Sequence, residues 1–131
     1  MKPILISIIL VTNVLYLEIA RNQDEKEIGL MYRKRWNSID GMLFIYEKEQ
    51  SVSYWMKNTY LPLVLFYMDS NFNILETYYP TPLSTDIISS KNSNVRYVLE
   101  FNPEKTNILF AQYREFCIKL KQKISKTMDL N

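Results

Sequence analysis

Histidine is absent from this 131-residue chain, and cysteine occurs once, at Cys117. Those two shortages remove Ser-His-Asp and Cys-His catalytic machinery, His-based zinc sites, cysteine metal clusters and any disulfide within the chain. Glycine occurs only twice, at Gly29 and Gly41, against a usual share of about 7%. Turns therefore fall to Asn, Asp, Ser and Pro, which bond their own backbone or fix φ. Compositional bias toward Asn, Ile, Lys and Tyr is a second source of the shortage. The surviving glycines should each have a backbone reason: close packing or a helix end at Gly29, a turn with positive φ at Gly41. An excess of one charge is also missing. Sixteen Lys and Arg stand against fourteen Asp and Glu, a formal net charge of +2, which argues against a dedicated nucleic-acid binder.

What is present describes a globular chain: 47% hydrophobic and 23% charged residues, at a length suited to one domain over residues 1–131. Ten tyrosines tilt the class toward β. Residues 3–20 are almost all apolar and admit three readings. A membrane span needs ~20 apolar residues, a length reached only by including Asn13 and Glu18. A signal peptide fits Lys2 and the apolar run, but Glu18-Ile19-Ala20 is a poor cleavage site. A β-hairpin fits best: residues 4–11 and 14–20 are rich in β-branched side chains, with Thr12-Asn13 as a two-residue turn. We therefore read no membrane span and a cytoplasmic location, with export through an N-terminal signal as the alternative.

Asn22 and Glu25 form a capping-box pattern, so a short helix is expected over residues 23–33. Strands are expected at 42–46, 51–57, 61–68, 74–79 and 95–101, with a polar loop over 83–94. Residues 61–68 are continuously apolar, as in a strand covered on both sides. Asp69, Asn71 and Asn73 read as a turn, because the glycine and glutamate of a calcium loop are missing. Asn102 and Pro103 then suit a helix start, and Leu109, Tyr113, Phe116, Leu120 and Ile124 recur at helical spacing. Lys119, Lys121, Lys123 and Lys126 lie on the outer side. The fold class is mainly β (α+β): a compact antiparallel or mixed β barrel or sandwich, with a short helix after the first strand and a C-terminal amphipathic helix.

Three collinear blocks are distinctive: Glu27-Ile28-Gly29-Leu30-Met31-Tyr32-Arg33, Asp40-Gly41-Met42-Leu43-Phe44, and Trp55-Met56-Lys57-Asn58-Thr59 followed by Leu61-Pro62-Leu63. In this order and spacing the chain resembles the domain of unknown function 192 family, a bacterial and archaeal group. Residues 95–100 resemble that family's later Val-Leu-Glu segment. The likeness covers about residues 15–101, leaving 102–131 as a C-terminal helix and tail. It implies a compact, mainly β fold with a short helix after the first strand, and no assigned activity. Two departures stand out: Val64 replaces an acidic residue usual after the Pro-Leu pair, and the C-terminal segment reads as helix in place of a glycine turn and strand.

Lys57 reads as a strand residue sharing a face with Trp55. A lysine among large apolar neighbours must reach water or meet an anion. The resulting site has Trp55 as a flat wall, Lys57 and Arg33 attracting an anionic group, and Asn58 and Thr59 supplying directional hydrogen bonds. The competing reading pairs Lys57 internally with Glu100 or Glu18 and lets Asn58 and Thr59 close a turn. Glu18 and Glu100 each interrupt an apolar strand and should be edge-exposed or paired. Cys117 reads as a small buried hydrophobe. No catalytic residue, metal site or cofactor is assigned, and the oligomeric state is left open. The expected function is a binding module for a small polar or anionic ligand; the alternatives are an interaction protein with an exposed aromatic patch and, behind it, an enzyme using Lys57 with Asp40 or Glu100.

Overall fold

A computed structural model describes residues 3–129. Six strands form one sheet: β1 (Ile4–Ile9), β2 (Val14–Ala20), β3 (Gly41–Gln50), β5 (Val64–Met68), β6 (Ile74–Tyr78) and β8 (Val95–Phe101). Their spatial order is β1-β2-β3-β8-β5-β6, with β2 and β3 parallel and every other pair antiparallel. Two-residue strands β4 (Ser53–Tyr54) and β7 (Ile88–Ser89) pair into a small strap. The helices are α1 (Gln23–Ile28), α2 (Thr106–Ala111) and α3 (Tyr113–Asp129), with a 3₁₀ turn over Pro103–Lys105.

The opening apolar run forms the expected hairpin, closed where the Leu10 amide donates to the Asn13 carbonyl at 2.7 Å. Alternation then sorts the sheet's side chains onto two faces. Leu43, Ile45, Phe66, Leu99 and Phe101 pack on one face against Leu109, Phe116 and Leu120 from α2 and α3. Met42, Phe44, Leu65, Tyr67 and Val98 pack on the other, with Leu30, Ile39, Val52, Met56 and Leu61. The barrel alternative is not what forms: β1 and β6 remain separate edges. Helices α2 and α3 cover one apolar face and α1, the strap and loops the other, so neither needs the sheet to close on itself. No helix among the described residues is long and apolar enough to cross a membrane.

Several local expectations need correction. Helix α1 stops at Ile28, because Gly29 takes φ +49° and donates its N–H to the Glu25 carbonyl. Gly41 is not a turn residue; it opens β3. A Cβ there would lie 2.7 Å from the Glu100 carbonyl oxygen and 2.9 Å from Phe101 Cδ1, so a side chain would force β3 from β8. The expected strand over 51–57 is paired only at Ser53–Tyr54, and the 83–94 loop contains β7. Asn102 caps the 3₁₀ turn by accepting from the Glu104 amide, and the C-terminal segment breaks at Gln112. There Gln112 Nε2 donates to Asn13 Oδ1 at 3.1 Å, anchoring the α2–α3 junction on the β1–β2 turn.

Candidate functional site

On the face opposite α3, a pocket of about 690 Å³ opens between α1, the β4 strap and the sheet. Sequence alternation builds its floor: Phe44 and Tyr46 rise from β3, and Glu100 from the neighbouring β8. Trp55, Lys57, Asn58 and Thr59 line one side, Lys26, Glu27 and Gly29 the other, and Tyr54 reaches in from β4.

Four of the five expected ligand contacts therefore meet at one cavity, but not as strand residues. Lys57 and Asn58 sit in a turn closed by the Thr59 amide donating to the Met56 carbonyl at 3.0 Å. Asn58 adopts φ +57°. Its carbonyl accepts from the Tyr32 amide at 2.8 Å, and its Nδ2 donates to the Tyr32 hydroxyl at 3.1 Å. Thr59 is buried, its hydroxyl donating to the Lys57 carbonyl at 3.2 Å. Asn58 and Thr59 thus shape the turn. Lys57 is exposed, with its Nζ 5.1 Å from the Trp55 ring centroid, in place of the internal ion pair considered above.

Arg33 is not among the lining residues. Its guanidinium grips Glu18 with two 2.7 Å hydrogen bonds, Nη1 to Oε2 and Nη2 to Oε1. The sheet brings strand β2 beside the loop after α1, and a planar fork matches a carboxylate in that geometry. Asp40, the acid considered for an enzyme, is likewise structural: its Oδ2 accepts from the Tyr16 amide at 2.8 Å, and Lys105 stands 3.4 Å from Oδ1.

Glu100 departs from expectation most. It lies at a central strand, flanked by Met42 on β3 and Leu65 on β5, so it is not at an edge. It is 5% exposed, and among the described residues neither oxygen has a hydrogen-bond or ion-pair partner. No side-chain polar atom among the described residues is both sealed and unpartnered, so those oxygens must open to the pocket. Gly29 makes room: a Cβ on it would stand 3.8 Å from Glu100 Oε1 and 3.3 Å from Phe44 Cζ. Burial pushes the Glu100 carboxyl up to about 8, which leaves it mostly uncharged at neutral pH.

Reasoning from sequence also passed over Tyr46, Tyr54 and Lys26. The two tyrosine hydroxyls are 2.8 Å apart, and burial raises both above the ordinary range. Lys26 places its Nζ 4.1 Å from the Tyr46 ring centroid; burial lowers its ammonium, which Glu47 partly offsets. No cluster of three metal-ligating side chains occurs among the described residues.

This is a mixed six-stranded sheet with one helical face and one pocketed face. The chain belongs to the domain of unknown function 192 family, described as an uncharacterized ACR, whose pattern matches residues 9–110. No curated protein matches the chain. Among solved structures, a candidate transcription regulator of Sinorhizobium meliloti 1021 is 36% identical, with a TM-score of 0.67 over 79% of this chain and 82% of that one. A protein of unknown function from Novosphingobium aromaticivorans DSM 12444 shares the fold at 20% identity, with a TM-score of 0.65 over 80% of this chain and 77% of that one.

Proposed function

We propose that the protein is a binding module for a small polar or anionic ligand, held in the pocket between α1 and the 55–59 turn. The observation that supports this is the convergence of Trp55, Lys57 and Lys26 around a cavity of about 690 Å³ with Glu100 at its base. Such a volume suits a small organic ligand, and concave sites with a few polar groups among aromatic walls are the usual form of such sites. Arg33 contributes by holding Glu18, and Asn58 and Thr59 by fixing the turn that presents Trp55 and Lys57.

The aromatic-patch alternative ranks below it. Tyr32, Trp55 and Tyr60 are exposed, but Asn58 bonds the Tyr32 hydroxyl, and Lys57 and Lys34 stand over the Trp55 and Tyr60 rings. An enzyme based on Lys57 ranks lower still, since activating a lysine calls for desolvation and this one is exposed. The regulator description belongs to the Sinorhizobium protein; here a formal net charge of +2 offers little phosphate attraction.

Native mass spectrometry of the protein, purified without denaturation, tests the reading. The expected result is a bound small molecule carrying a polar or acidic group, retained by the wild type and lost from the Trp55→Ala, Lys57→Met double variant. Equal retention by the two proteins, or none by the wild type together with no thermal stabilisation by small organic acids, would overturn it.

A further inference from the structure

We infer that Glu100 is the anchor of the pocket: its carboxyl donates a hydrogen bond to a carboxylate oxygen of a small monocarboxylate with a flat apolar body. The inference rests on the binding reading above and deepens it by naming the ligand class.

A carboxyl that is 5% exposed on a central strand, with no partner among the described residues and its oxygens open to a cavity, is a group awaiting one. Setting a carboxyl among apolar side chains on a central strand costs stability even where solvent reaches its oxygens, and natural sheets rarely keep one unless it has a use. Three features select the partner's chemistry. First, Lys26 and Lys57 flank the pocket, and each already stands over an aromatic ring, at 4.1 Å from Tyr46 and 5.1 Å from Trp55. One face of each ring thus already meets a protein cation, and with Glu100 uncharged the two lining ammonium groups face a single lining carboxylate, Glu27, a balance that favours an anion over a cation.

Second, beside the mutually bonded Tyr46 and Tyr54 hydroxyls the floor offers one carboxylic acid O–H and no guanidinium, because Arg33 is bound to Glu18. A phosphate dianion needs several donors; a carboxylate is served by one strong donor and nearby ammonium groups. When two carboxyls share a proton, the one in the more apolar setting keeps it. Glu100 is that one, so it donates and the ligand stays ionised. Third, Phe44, Tyr46, Tyr54 and Trp55 supply apolar and aromatic walls, which suits a planar body over an extended polar one.

The proposal carries a proton linkage with a definite sign. Only the protonated Glu100 can donate, so affinity must fall as pH rises through about 8, approaching tenfold per pH unit above it. The other groups facing Glu100 are Tyr46, Tyr54 and Tyr67, all raised above the ordinary phenol range and so neutral throughout. Glu27 and Lys57 stand around the pocket with Lys26. Burial lowers the Lys26 ammonium, so Lys26 is given its own control.

Binding of para-fluorobenzoate to the full chain, followed by fluorine NMR from about pH 6 to about pH 9.5, tests this. Wild type should bind at millimolar concentration, with affinity flat on the acid side and falling above about pH 8. Glu100→Gln, which keeps a donor and cannot ionise, should retain binding and lose that fall. Glu100→Leu should lose at least about tenfold at neutral pH. Lys26→Met should weaken binding but keep the fall. If the probe binds and Trp55→Ala weakens it, yet Glu100 substitutions and pH leave it unmoved, this inference is overturned and the pocket reading stands. Affinity that rises across pH 8 would assign a cation to Glu100 and overturn it too. A probe that fails to bind wild type, or ignores Trp55→Ala and Lys57→Met alike, overturns this inference, and the native mass spectrometry above then decides the pocket reading by itself.

Discussion

On the face of the sheet covered by α3, no charged side chain is buried, and Phe116 and Leu120 pack in one cluster with Leu99 and Phe101, the phenols of Tyr97 and Tyr113 being the polar groups there. On the face covered by α1 and the β4–β7 strap, the same strands present Glu100, Tyr46 and Tyr67 among Phe44, Leu65 and Val98. One sheet therefore supports two finishes. The first is close-packed by a long helix whose apolar stripe matches it. The second is roofed by a six-residue helix and a strap of two-residue strands, with ordering supplied by single hydrogen bonds such as Tyr67 hydroxyl to Ile88 carbonyl. The difference separates support from use: the sealed face holds the strands in register, and the open face exposes what they carry.

That contrast is broken most directly by truncating the sealed face. Phe116→Ala should lower the unfolding free energy by about 3–5 kcal/mol, as expected for a fully buried aromatic with little room to relax. Trp55→Ala on the pocket rim should lower it by less than about 1 kcal/mol. Urea unfolding of both variants checks the pair, and equal losses would mean that the pocket wall is structural core.

The next effect lies on the floor. For Glu100 the carboxyl ordinarily titrates near 4.5 and in the folded protein near 8. Between these values the folded state binds more protons than the unfolded one, so stability falls as pH rises through the window, by up to about 1.4 kcal/mol per pH unit. Above about 8 this contribution levels off. Glu100→Gln should remove that slope and leave the variant more stable than wild type at alkaline pH, by a few kcal/mol. Unfolding curves at several pH values decide it; wild type and variant with parallel profiles would show that Glu100 has a partner after all. On the acid side the sign reverses at Glu76. Partial burial would raise it, but hydrogen bonds from Tyr78, Asn92 and the Lys91 amide outweigh that and hold it near 2. Its contribution is therefore lost as pH falls from about 4.5.

Much of the sealed face was legible in the sequence, and little of the open one. Apolar and β-branched runs marked β1, β2, β3, β5, β6 and β8, with clear alternation in β2, and the Leu109-to-Ile124 spacing marked the C-terminal helix, because such signals come from neighbours along the chain. The break at Gln112 was hidden since the apolar pattern runs through it; a contact with Asn13, far away in sequence, places it. The pocket depends on such remote facts. Val52, Tyr54 and Met56 keep strand alternation, but only Ser53 and Tyr54 find a partner, so Lys57 falls in a turn. Arg33 has no sequence mark distinguishing Glu18 from Glu100 as its partner. Glu100 was visible as a polar position in an apolar strand, yet whether it sits at an edge depends on β8 lying between β3 and β5.

Glu18 and Glu100 sharpen the comparison further, being two carboxylates in apolar strands with opposite treatment. Arg33→Met strips Glu18 of a two-bond partner whose own side chain is a third exposed. Solvent moderates the loss to about 1–2 kcal/mol. Adding Glu18→Gln should recover part of it, and a double-mutant cycle measures the coupling. A cycle with no coupling would show that the pair only marks where the loop happens to rest.

The smallest effect on stability should come with the largest contrast between stability and binding. Lys57 is exposed and touches the fold through one cation–π contact at 5.1 Å. Lys57→Met should move the unfolding free energy by no more than about 0.5 kcal/mol. An ammonium that helps attract an anion acts at longer range, so the same substitution should weaken binding of an anionic probe severalfold at low salt. The gap should narrow as salt shortens the Debye length toward about 8 Å. Titrations at two ionic strengths separate the roles: a salt-independent loss would make Lys57 a shape contact, and a stability loss above about 1 kcal/mol would place it in the framework with the sealed face.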